Sequence, residues 1–98
     1  MRLEFHPAAA EELATVATTY EDLAEGLGHA FRVEFARVAA LICDNSAIGA
    51  PLDPIHRRFP LTRFPFAMIY RSDPDAVRIV AVAHRRRRPG YWQGRTFP

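Results

Sequence analysis

The stretch His84-Arg85-Arg86-Arg87-Arg88-Pro89-Gly90-Tyr91-Trp92-Gln93-Gly94-Arg95 concentrates most of the chemistry this chain offers. Four successive guanidiniums repel one another, so such a run is most useful where phosphates or carboxylates neutralise it. Each guanidinium is planar, permanently charged and carries a fork of donors that fits either kind of oxyanion. Tyr91 and Trp92 follow directly, and flat side chains beside arginines equip a surface for stacking on bases or anchoring a protein interface. His84 heads the run. An imidazole titrates near neutrality and can act as a general base, or it can simply cap the end of a strand.

Arg57, Arg58 and Arg63 extend the basic region upstream. All thirteen basic residues are arginine, and nine of them lie between positions 57 and 88, where the only acids are Asp73 and Asp75. Seven of the eleven acids lie between Glu4 and Glu34. A net charge of +2 conceals this asymmetry, and the basic half is a candidate surface for phosphates or an acidic partner. Glu11, Glu12, Glu21, Asp22 and Glu25 read as solvated helix faces. Four charges in a row are also compatible with a merely solvated strand end.

Other reaction classes find little support. His6, His29 and His56 show no metal-ligand spacing with one another or with Cys43, so neither a metal nor another cofactor is expected. There is no glycine-rich phosphate loop and no nucleophile-elbow motif. The lone Cys43 ends an apolar run from Val38 and reads as a packed thiol in a reducing compartment. Glu4, His6, Glu11 and Glu12 interrupt the N-terminal stretch, and no apolar run approaches the ~20 residues of a membrane span. A cytoplasmic protein without a signal peptide is the expectation.

The elements that must position these residues follow from periodicity. Residues 2 to 6 alternate as a short strand. Pro7 favours a first helical turn, and Leu13, Val16, Ala17, Tyr20 and Leu23 recur at helical spacing, predicting a helix over 8–25. Gly26 and Gly28 end it, and Phe31, Phe35, Val38 and Ile42 predict a second helix over 29–43, antiparallel to the first. Residues 44 to 54, rich in Asn, Ser, Gly, Asp and Pro, read as a loop. Residues 57 to 61 form a short strand that Pro60 restricts to an edge or a bulge. Phe64 to Arg71 and Val77 to Ala83 form an antiparallel hairpin around Ser72-Asp73-Pro74-Asp75. Pro89 and Gly90 then break any strand, and Arg86 and Trp92 are expected outside the core. The phenylalanines, with Tyr70, read as core. The order β-α-α-β-β-β describes an α+β fold, a helical hairpin on a mostly antiparallel sheet, in one domain spanning 1–98.

That order, with Phe64-Pro65-Phe66 to Tyr70 on one central strand and Ile79 to Trp92 spanning the end of the next, resembles the RelE/ParE superfamily of toxins from type II toxin-antitoxin modules. The resemblance implies a toxin that arrests growth until a cognate antitoxin wraps it with an acidic and apolar C-terminal segment, in a heterotetramer or larger complex. It also implies one of two targets. The RelE-like branch cleaves mRNA on the ribosome; there His84 or Tyr91 would move protons, while Arg63, Arg85 and Arg87 would stabilise charge on phosphorus. The six-residue spacing from Arg85 to Tyr91 resembles that branch, but Ala67 stands where those nucleases often carry an arginine, three residues before the strand tyrosine. The ParE-like branch poisons DNA gyrase, and His84 with Arg86 resembles it more. On the favoured ParE-like reading the protein is not an enzyme, and Arg57, Arg58, Arg85, Arg86, Arg87, Arg88, Tyr91, Trp92 and Arg95 form the target- or antitoxin-binding surface. A non-toxic basic binding module is the reading from another functional class.

Overall fold

A computed structural model describes residues 2–98. Seven elements follow one another: β1 (Arg2–Phe5), α1 (Pro7–Leu23), α2 (Leu27–Asp44), β2 (Ala50–Pro51), β3 (His56–Pro60), β4 (Phe66–Ser72) and β5 (Ala76–His84). The strands make one sheet in the order β1-β5-β4-β3-β2, with β1 parallel to β5 and every other pair antiparallel. Helical hairpin and mostly antiparallel sheet are therefore as the periodicity predicts.

Local chemistry sets the helix ends. Pro7 occupies the first turn of α1, and the His6 side chain caps it, Nδ1 accepting from the Ala8 amide at 3.0 Å. The Glu21 carboxylate accepts from the amides of Gly26 and Gly28 at 2.9 and 3.0 Å, satisfying donors that the start of α2 would otherwise leave unpaired. Glu21 thus caps α2 from an exposed position, a role added to its reading as a solvated face. A side chain at Gly28 would run into the Ala17 carbonyl, so glycine there lets α2 cross close to α1.

Each sheet face has its own cover. Phe66, Met68, Tyr70, Val77, Ile79 and Val82 meet Phe31, Phe35, Val38 and Ile42 beneath the helices. Tyr20, Phe31, Phe64 and Phe66 form an aromatic cluster with centroids 5.1–6.2 Å apart, edge-on except for the tilted Tyr20–Phe31 pair. On the opposite face Ile69, Val80 and Ala81 pack with Trp92 from the tail. A register shift makes this second face possible. Tyr70 pairs with Ile79 but Ile69 pairs with Ala81, which leaves Val80 as the extra residue of a bulge. The strict alternation breaks there, and Val80 and Ala81 both turn toward the tail.

Residues 44 to 54 hold more order than a loop. Ala50–Pro51 pairs with Arg58 and Arg57, two residues too few to show a period. The buried Tyr70 hydroxyl donates to the Ser46 carbonyl at 2.7 Å and accepts from the Gly49 amide at 2.9 Å. A Cβ on Gly49 would lie 2.5 Å from that hydroxyl. Pro60 lies past this short pairing, on the part of β3 left as an edge.

Candidate functional site

β5 delivers the basic run to the surface. The strand ends at His84, and Arg85 to Arg88 are all exposed. His84 folds back on the turn, its Nδ1 accepting from the Arg86 amide at 3.0 Å while its ring meets the edge of Phe66 at 5.0 Å. This is the local capping role considered for it, and it engages one of the two ring nitrogens.

The tail then recrosses the sheet. β1 pairs with β5 only as far as Ile79, so the backbone groups of residues 80 to 82 on that edge need partners from elsewhere. The Glu12 carboxylate, on α1, accepts from the Val82 amide at 3.0 Å. The Arg95 guanidinium donates to the Val80 carbonyl at 3.0 Å and to both Glu12 oxygens at 2.9 Å. The Tyr91 hydroxyl donates to Glu12 at 2.9 Å. Three side chains thus seal the open edge as one latch, and Glu12 is its hub rather than a solvated residue of a helix face.

The charges of this latch respond accordingly. Burial works to raise the Glu12 pKa, but hydrogen bonds from Arg95, Val82 and Tyr91 and the Arg95 charge together bring it below the ordinary value. Burial, reinforced by Glu12, pushes Tyr91 up to about 12, so it stays a phenol at neutral pH.

Trp92 is 6% exposed and sits against the His56 ring at 4.6 Å between centroids. Its expected place outside the core is therefore corrected; it is the centre of a second core. The run of apolar residues from Val80 to Ala83 was the signal, because it implies two buried faces, and Trp92 with Phe97 was available to cover the second.

A cleft of about 460 Å³ opens between this tail and the sheet. Ile69, Ala83 and Trp92 contribute its floor, and Arg58, Arg85, Arg87 and Arg88 stand around it. The structure so gathers four of the arginines picked out in the sequence. The others go elsewhere. Arg57 donates to the carbonyls of Ala47 and Gly49, fixing the loop before β2. Arg63 occupies the β3–β4 turn with φ of 75° and faces Phe64, away from the cleft. Arg86 is exposed beside the cleft, and Arg95 belongs to the latch. Asp53, at the cleft margin, is engaged by His56 and by the Ile55 and His56 amides, which hold its pKa low. Leu52, which also lines the cleft, was not singled out in the sequence; it lies next to β2, which has no pattern to announce it.

Among the described residues no three His, Cys, Asp or Glu side chains gather to hold a metal ion, and no helix is long and apolar enough to cross a membrane. Cys43 is half-buried against the main core.

A family model described as the ParE toxin of type II toxin-antitoxin system, parDE, matches residues 3–89. Among solved structures, a chain of the chromosomal ParDE TA system from P. aeruginosa matches with a TM-score of 0.72 and 21% sequence identity, over 86% of this chain and 95% of that one. At that identity the likeness is one of fold. No curated protein matches this chain significantly.

Proposed function

The chain belongs to the ParE toxin family of type II toxin-antitoxin systems, and from that premise we propose that it arrests growth by binding DNA gyrase whenever its cognate antitoxin is absent. The observation that carries a binding role is the state of the proton-transfer candidates. A ribosome-dependent nuclease needs a base and an acid converging on one phosphate. Here the Tyr91 hydroxyl is committed to Glu12 at the sheet edge, the phenol is held to about pH 12, and His84 caps its own turn. The arginines remain exposed and directed outward, which favours recognition over catalysis.

The antitoxin is the second partner of this reading. An acidic and apolar segment suits a molecule that offers both exposed arginines and an apolar groove of about 400 Å³ where Phe5 and Leu3 face Phe35 and Ala39. Salt weakens such an interface to the extent that its charges lie at the rim.

The test pairs cells with purified components. After induction without antitoxin, thymidine incorporation should stop before amino-acid incorporation, cells should filament, and the protein should inhibit supercoiling by gyrase. Amino-acid incorporation stopping first would instead select the RelE-like nuclease. Neither stopping while folded protein accumulates would select the non-toxic binding module.

A further inference from the structure

The arginines divide into two populations. Arg2, Arg37, Arg71, Arg78 and Arg95 each meet a carboxylate within 3.1 Å. Among the described residues, Arg32, Arg57, Arg58, Arg63 and Arg85 to Arg88 meet none at ion-pair distance, and four of these eight, Arg58, Arg85, Arg87 and Arg88, stand around one cleft between tail and sheet. Arg57 is held by backbone carbonyls and Arg63 lies over Phe64, so the cleft gathers the densest group of cations left for a ligand.

We propose that the cleft binds a single nucleic-acid strand without cleaving it, one nucleotide seated against the apolar floor and its flanking phosphates on the arginine rim. A volume of about 460 Å³ is the size of sites that hold one small-molecule unit. Floor and rim lie within that one volume. Each residue of an acidic peptide presents either a charge or an apolar group, whereas each nucleotide presents a flat base and a charge together. The exposed amide of Gln93 at the cleft supplies donors and an acceptor for a base edge. Arg87 lies 4.0 Å over the Tyr91 ring, which orients its guanidinium plane beside the cleft. Arg58 stands on the sheet side and Arg85 and Arg88 on the tail side, so a strand passing between them meets cations on both walls. Cleavage needs a base and an acid together, and with the Tyr91 hydroxyl held by Glu12 the remaining ring nitrogen of His84 has no partner for it. DNA and RNA share this chemistry.

The test is fluorescence anisotropy of the full chain with labelled oligodeoxyuridylate, oligouridylate and an oligoglutamate peptide of equal charge, over a range of salt. Both oligonucleotides should bind and remain intact, and the peptide should bind at least tenfold more weakly. Arg58→Ala and Arg87→Ala should each weaken binding about tenfold and lower the salt slope by about one. Arg32→Ala, on α2 and outside the cleft, should change neither. Preference for the deoxy or the ribo strand assigns the natural strand, the 2′-hydroxyl being the only group that distinguishes them. Equal loss with Arg32→Ala, equal binding of the peptide, or cleavage of the strand overturns the proposal. Arg87→Ala lies outside the strand ladder, so it keeps the test valid if Arg58→Ala unfolds. A wild-type protein that inhibits gyrase but binds neither oligonucleotide overturns this proposal and leaves the gyrase reading standing.

Discussion

Arg95 and Arg87 flank the same tyrosine, their guanidinium carbons 5.2 and 4.0 Å from the Tyr91 ring centre, and there the likeness ends. Arg95 is largely buried, paired through both nitrogens to Glu12 and bonded to the Val80 carbonyl. Arg87 is exposed, with neighbours of its own charge on either side. The first arrangement closes an unfinished sheet edge; the second leaves positive charge at the surface. What separates the two is the reach of one carboxylate on α1. The family match ends at Pro89, so the arginine run lies within it and the latch residues of the tail lie beyond it.

Substitutions can break this comparison. The largest effect should come from Trp92→Ala, which empties the second core and should cost about 3 to 5 kcal/mol by chemical denaturation. Glu12→Ala should follow at about 2 kcal/mol, because it strands the Arg95 guanidinium, the Tyr91 hydroxyl and the Val82 amide together. Tyr91→Phe removes one hydrogen bond from a hub that keeps its others, and about 1 kcal/mol is expected. Replacing Arg85 to Arg88 by alanine should shift stability by no more than about 0.5 kcal/mol while abolishing toxicity in an induction assay. A large loss of stability in that last variant would erase the distinction between the two sets.

Acid sharpens it further. Glu12 is held below its usual pKa in the fold, so the unfolded chain binds more protons over the acid range. The stabilisation this provides is complete above the ordinary carboxylate pKa and is lost as pH falls through the lowered value. Between roughly pH 5 and 3 the wild type should therefore lose more stability than Glu12→Gln, as thermal melts across that range would read.

The fold was legible wherever one surface buries one periodic face. Leu13, Val16, Ala17 and Tyr20 announced α1, and the alternation from Phe66 to Tyr70 announced β4. The helices begin and end within two residues of expectation, α1 covering Pro7–Leu23 and α2 Leu27–Asp44. What escaped was non-local. Glu12 and Arg95 stand 83 positions apart, and no spacing rule joins them. The cleft arginines were legible as a cluster, but the partition of Tyr91, Trp92 and Arg95 into the architecture was not. It depends on which edge β1 leaves open and on the bulge at Val80.

The parallel pairing of β1 with β5 also sets when the molecule can exist. Arg2 to Phe5 find their partners only in residues 76–79, and the edge beyond them is sealed with the help of Arg95. The N-terminal strand therefore waits, unpaired, until residues about seventy positions further on have been made, a delay characteristic of long-range strand pairing. A chain interrupted before Arg95 lacks the guanidinium that joins Glu12 to the Val80 carbonyl. Closure of the sheet edge thus depends on residues 2–5, Glu12 and Arg95 being present together.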